Sequence, residues 1–134
     1  EVAATADAAV GAADVVSCAT PSTDALFAAD ALRPGTHINA VGAFRPDMIE
    51  VPVEVTRAAY VVVDDIEAAA AEAGDLIAAQ KTPDATLTEL VSGLATPPTD
   101  AVTFFKSVGV ASQDVAAAAA ALAAARELGV GTEV

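Results

Sequence analysis

Gly35-Thr36-His37-Ile38-Asn39-Ala40-Val41-Gly42-Ala43-Phe44-Arg45-Pro46-Asp47-Met48 is the stretch on which the reading of the fold turns. Pro34-Gly35 at its front is a turn signal. Residues 36–42 then run as an apolar, β-compatible segment, and residues 46–50 break into a loop. A short apolar strand that ends in glycine and opens into a polar loop is how strands of parallel sheets present binding residues, because ligands settle outside the carboxyl ends of such strands.

The chain on either side repeats this alternation. Upstream, residues 1–4 read as strand, 7–12 as helix, and 13–19 as an apolar strand closing at Thr20-Pro21-Ser22. The unbroken apolar character of 13–19 predicts burial on both faces. Residues 24–32 predict a short helical crossover. Downstream, 54–58 is a helix and Tyr60-Val61-Val62-Val63-Asp64-Asp65 is the clearest strand. Residues 66–73 are a helix with Gly74 at the C′ position after it. Residues 86–94 form a helix ahead of Pro97-Pro98, and 102–107 the last strand. From 112 to 128 runs an Ala-rich helix ending at Gly129; alanine is the best helix former. Strands alternating with helices predict an α/β fold with a parallel sheet. The strand-end segments to inspect are 19–23, 41–47, Asp64-Asp65 and 106–109.

Composition narrows the partners. With 19 acidic and 6 basic side chains the net charge is -13, which excludes nucleic acid, whose phosphates need clustered Lys and Arg. Anionic membrane surfaces are excluded on the same ground. No stretch reaches the roughly 18 continuous apolar residues of a membrane span, and no basic leader precedes an apolar run, so the expected location is cytoplasmic. The acidic, Lys-poor surface suits a salty medium, which screens self-repulsion; the competing reading is high-GC codon bias with ordinary solubility. One cysteine, Cys18, and one histidine, His37, supply no zinc ligand set, and no metal is expected.

Single residues carry competing readings. Thr20-Pro21-Ser22-Thr23 can hold a ribose or diphosphate with hydroxyls and free N–H groups, or form a turn in which Ser22 or Thr23 caps the next helix. His37, inside a strand, reads as a packed, hydrogen-bonded side chain, and Cys18 as a small buried hydrophobe. Lys106 reads as a structural ion pair or an anion contact, and Asp47 as a partner of Arg45 or a cap. Asp64 and Asp65 point to opposite faces of a strand and so cannot share one proton; a capping role for the following helix is the better reading.

G-T-H-I-N-A-V-G-A resembles the G-x-H-[IV]-N-A-[IV]-G-[AGS] strand and loop of the ornithine cyclodeaminase/mu-crystallin family. A-D-V-V and A-T-P-S before it, and R-P-D-M, V-V-V-D-D, E-A-G-D-L, F-K-S-V-G and G-V-G-T-E-V after it, fall in the family's order. The resemblance implies the second half of a Rossmann-type NAD(P)-binding parallel sheet, residues 1–110, with a C-terminal Ala-rich helix and tail, residues 111–134. It implies NAD or NADP as cofactor, a small amino acid, imine or 2-oxo acid as substrate, and a homodimer in the full-length protein. Thr20, Pro21, Ser22 and Thr23 match the family's cofactor loop, Val41 the residue packed on the nicotinamide, and Ser107 and Val108 another nicotinamide-side contact. Phe44 and Arg45 fall at substrate-facing positions. The cyclodeaminase branch has an aspartate acid/base where this chain has Phe44, which cannot transfer a proton. The following R-P-D resembles the reductase branch.

The glycine-rich dinucleotide fingerprint G-x-G-x-x-G is absent, since Gly129-Val130-Gly131 follows a helix rather than a strand. In the family it lies on an earlier βα turn, so the expectation is a C-terminal portion with the enzyme's front upstream. The activity expected of the whole is that of an imine or amino-acid oxidoreductase. The competing expectation is a non-catalytic binding protein or an inactive truncated fragment.

Overall fold

A computed structural model describes residues 2–132. Glu1, at the head of the first expected strand, and Glu133-Val134, at the tail of the last family motif, lie outside the described residues. The elements are α1 (Ala6–Ala12), β1 (Val15–Cys18), β2 (His37–Ala40), α2 (Val53–Ala58), β3 (Tyr60–Val63), α3 (Ile66–Glu72), α4 (Gly74–Ala79), β4 (Ala85–Thr86), α5 (Leu87–Val91), β5 (Thr103–Lys106) and α6 (Ala111–Leu128). All strand pairs are parallel, in the order β1-β2-β5-β3-β4. The α/β parallel sheet read from the sequence is therefore present, with its last long strand inserted between β2 and β3.

Strand alternation sorts the sheet into two unlike faces. Ile38, Ala40, Val61, Val63 and Phe104 point one way and are fully buried against Val51, Val55, Ala59, Ala69, Ala73 and Leu76. The opposite face carries His37, Asn39, Tyr60, Thr103 and Phe105, all half-buried. There His37 bridges the Oγ1 of Thr103 at 2.7 Å and the Oδ1 of Asn39 at 3.1 Å, the packed histidine that its strand position implied. β1 is an edge strand, and Val15 and Ser17 are exposed. The expectation that it is buried on both faces fails, because only one of its long edges and one of its faces is covered.

Several local expectations are corrected. Residues 2–5 form no strand: Thr5 instead caps α1, its Oγ1 accepting from the N–H of Ala8. The helix expected over 24–32 shrinks to a 3₁₀ turn at Ala29–Ala31. Its backbone donors are spent elsewhere, the N–H of Leu26 on the carbonyl of Glu50 and that of Ala28 on Asp7, and a helix needs those donors for itself. Gly74 is not a left-handed C′ residue but the first residue of α4. Its requirement is space, since a Cβ there would collide with the carbonyl oxygens of Met48 and Arg45. Neither α4 nor β4 is expected from the sequence alone. The Ala-rich helix α6 forms, capped at Gly129.

Candidate functional site

The register places the carboxyl ends of four strands side by side. Cys18 pairs with Ala40, Ala40 with Lys106, and Val63 with Lys106. The next residues, Ala19, Val41, Ser107 and Asp64, thus form a row across the top of the sheet. The N–H of Val41 donates to Cys18 and that of Ser107 to Ala40, so Val41 and Ser107 are held as firmly as the strands.

Each expected site residue has a definite place. Val41 is 49% exposed and Phe44 51% exposed, apolar groups turned to solvent beside buried chain. Val108 is half-buried, and Ser107 is buried with its hydroxyl donating to Asp64 at 2.5 Å and accepting from the N–H of Gly109 at 3.1 Å. A serine hydroxyl has one proton and two lone pairs, so Ser107 has only an acceptor left to offer. Arg45 is exposed and pairs with Asp47 at 3.2 Å, one of the two roles read for Asp47. Thr20 is tied inward, whereas Ser22 closes a turn on Asp24, donating to its carbonyl and accepting from its N–H. Neither Ser22 nor Thr23 caps a helix, because none starts there; Pro21 and Thr23 are exposed.

Beneath this row lies a polar set that the sequence reading did not assemble. Glu50 is fully buried, with one carboxylate oxygen accepting from the N–H and hydroxyl of Thr20 at 2.6 and 3.0 Å. Its other oxygen accepts from the N–H groups of Gly42 and Ala43 at 2.8 and 3.1 Å. Asp75, also fully buried, accepts from the N–H groups of Glu50 and Val51 on one oxygen. Its second oxygen stands 3.1 Å from Lys106 Nζ, both side chains wholly buried. That pair is close in distance but not aligned as a hydrogen bond, so the contact is chiefly Coulombic. The ion-pair reading of Lys106 is the one the structure supports. Glu50 stands between Ile49 and Val51-Pro52-Val53; a carboxylate in an apolar run signals a buried, satisfied charge, and that signal was there to read. Gly42 is where the β1 and β2 exits touch, since a Cβ would strike the Thr20 backbone and the Glu50 carboxylate.

Cys18, at 5% exposure, borders the same set. Burial pushes its thiol from 9.0 up to about 11, with the Glu50 and Asp75 carboxylates adding to the rise and Lys106 opposing it. Asp65 caps α3 through the N–H of Ala68, as expected, while Asp64 holds Ser107 instead. An open cleft of about 480 Å³ lies beside Asp64, between α5 and the start of α6. Another of about 400 Å³, lined by Pro34, Ala58 and Ala101, lies at the opposite strand ends, away from the row.

A nicotinamide fits the row in kind: it needs an apolar wall and a few polar partners, and Val41, Val108 and the Ser107 acceptor are those. A diphosphate does not fit the starts of α3 and α5. The N-terminus of α3 is filled by Asp65, and that of α5 by Thr86 and Glu89, so neither offers a free N–H cluster to an anion; α2 and α6, which follow β2 and β5, carry no side-chain cap.

Comparison with known proteins bears on the family and the fold. The model of the ornithine cyclodeaminase/mu-crystallin family matches residues 1–127. Ketimine reductase mu-crystallin of Mus musculus is 41% identical over 110 residues, 82% of this chain and 35% of that protein. The Δ1-pyrroline-2-carboxylate reductase of Thermococcus litoralis, solved with NADH and L-proline, superposes with a TM-score of 0.89 at 34% identity, over 97% of this chain and 43% of that one. An archaeal alanine dehydrogenase dimer with bound NAD gives a TM-score of 0.80 at 35% identity, over 90% of this chain and 40% of the other. The chain thus spans less than half the length of each of these relatives.

Proposed function

The chain belongs to the ornithine cyclodeaminase/mu-crystallin family, and from that premise we propose that it supplies the nicotinamide side and part of the substrate wall of an NAD(P)-dependent oxidoreductase acting on an imine or amino acid. The observation that carries this reading is the row at the strand ends, where half-exposed Val41 stands beside Ser107, whose hydroxyl is fixed by Asp64. Val41 and Val108 would pack on the nicotinamide, and Ser107 would accept from its amide. The Thr20-Pro21-Ser22-Thr23 loop would line the cofactor's approach, with Phe44 and Arg45 on the substrate side. When bound, a reduced nicotinamide supplies a hydride. What these residues do is exclude water from one face of it and fix its rotation.

Phe44 steers the reading toward reduction of an imine or 2-oxo acid and away from cyclodeamination, because its ring offers a substrate side chain an apolar surface and no proton. Two of the relatives fit this reading by name, a ketimine reductase and a pyrroline carboxylate reductase solved with L-proline, while ornithine and lysine cyclodeaminases are also similar to the chain. We take residues 1–110 as the sheet-bearing unit and 111–134 as a helix and tail that serve the rest of the protein. A homodimer is supported by the dimeric alanine dehydrogenase relative. A cytoplasmic site of action fits the acidic composition, and among the described residues no helix is long and apolar enough to cross a membrane.

The test is the protein expressed from its complete coding sequence, given NADH or NADPH with cyclic imino acids and with 2-oxo acids. Consumption of reduced cofactor with a cyclic imino acid is the expected result; absence of turnover on every imine and 2-oxo acid counts against the proposal. Phe44 also favours a second reading, a binding protein without turnover, which tight cofactor binding together with no hydride transfer would establish.

A further inference from the structure

We propose that Glu50 is a positioning residue for this site: its buried carboxylate pins the exits of β1 and β2 to each other, and Asp75 with Lys106 anchors that pin to the exit of β5. The inference rests on the functional reading above. The two carboxylate oxygens divide the labour. One accepts only from Thr20, at the β1 exit, and the other only from Gly42 and Ala43, at the β2 exit. Thr20 opens the tetrapeptide assigned to the cofactor, and Gly42-Ala43 is the link between Val41 and Phe44. The spacing between the proposed cofactor loop and the proposed nicotinamide and substrate walls is therefore set by one planar group about as wide as a carboxylate.

The anchor is as specific as the pin. The N–H of Glu50 itself, with that of Val51, donates to Asp75 at 2.7 and 3.0 Å, and the other Asp75 oxygen faces Lys106 at 3.1 Å. Lys106 precedes Ser107. All three strand ends that bear proposed contacts are thus joined through two carboxylates and one ammonium, none of them exposed. A fully buried charge is costly unless paired and hydrogen-bonded, and an apolar side chain at position 50 could fill the space. It could not satisfy four converging donors, nor hold them at a fixed separation. Gly42 closes the gap from the other side, since any Cβ there would meet Thr20 and Glu50.

The proposal separates from a merely structural role in one substitution. Glu50→Gln keeps the shape but turns one acceptor into an NH2 facing backbone N–H donors, so one exit comes loose while the other stays held. In the full-length protein, amide exchange should quicken about tenfold at one exit, in peptides covering 19–23 or 41–47, the equivalent of one lost charged hydrogen bond. Exchange across β3 should stay as it was. The dissociation constant for NADH or NADPH, followed by fluorescence of the reduced nicotinamide, should rise about tenfold or more. A structural role predicts instead a lower melting temperature with uniformly faster exchange and an unchanged constant in the folded fraction, and that result would overturn the proposal. Should Glu50→Gln fail to fold, Glu50→Asp keeps the charge on an arm too short to reach both exits, and must show the same one-sided loosening. If the wild-type protein binds neither NADH nor NADPH, the functional reading fails, and the exchange measurement still decides whether Glu50 pins the exits.

Discussion

Lys106 sits at the end of the central strand with no exposed surface and, among the described residues, one carboxylate in ion-pair range, that of Asp75. A buried pair of this kind adds little net stability over an apolar isostere, but removal of one member leaves the other charge stranded. Lys106→Met should therefore lower unfolding stability by about 3–5 kcal/mol, read from the urea midpoint. The double change Lys106→Met with Asp75→Asn should recover much of the loss, because the asparagine oxygen can still accept from Glu50 and Val51. Cys18 reports on the same interior. With its thiol raised to about 11, the native protein should react with a thiol reagent at neutral pH through about a hundredfold less thiolate than an ordinary cysteine offers. The raised value also fixes a pH window. The folded state holds the thiol proton more tightly than the unfolded chain does, so this contribution to stability is whole below pH 9.0 and is lost as pH climbs toward about 11. Labelling as fast as that of the unfolded protein would contradict the burial.

The elements differ in what holds them. α5 has no buried residue, and its start is secured by a capping box: Thr86 Oγ1 accepts from the N–H of Glu89, and the Glu89 carboxylate accepts from the N–H and hydroxyl of Thr86. Those bonds hold the Glu89 carboxyl below its ordinary 4.5. The box is accordingly intact above that value and is lost as pH falls through the lower folded one, with α5 fraying first. Thr86→Ala should cost about 1 kcal/mol, and amide exchange over residues 87–91 should show it without disturbing β3. Helix α6 is also exposed along almost its whole length but has no side-chain cap at its start, and is carried by alanine propensity. Helices α2 to α4 need no such propensity, because Val55, Ala69 and Leu76 bury them against the sheet.

At the scale of the whole molecule the net charge of -13 is the governing quantity. Self-repulsion among exposed carboxylates disfavours the compact state, and salt shortens its reach from about 10 Å at 0.1 M to about 3 Å at 1 M. The melting temperature of the protein should rise between low and molar salt, as thermal denaturation at both would show; a flat response would mean that the acidic surface does not limit stability. The sheet gives this charge a distribution. The few buried charges gather under the strand exits at Glu50, Asp75 and Lys106, while the other acidic groups among the described residues lie at or near the surface.

The alternation of apolar strands with helices, the Ala-rich helix and the strand-end motifs are local patterns, and local patterns are written in the order of residues. They were enough to read a parallel α/β sheet, to separate Phe44 from an acid and to place Val41 and Ser107 at strand ends. Strand order is not local: that β5 lies between β2 and β3 follows from which faces bury together. The same holds for 24–32, whose backbone donors go to Glu50 and Asp7 rather than to a helix. It holds most of all for the G-T-H-I-N-A-V-G-A stretch. Its sequence marks a strand and a loop, but only the packed chain brings Glu50 back beneath Gly42, because a buried carboxylate must find its donors wherever the fold leaves them unpaired.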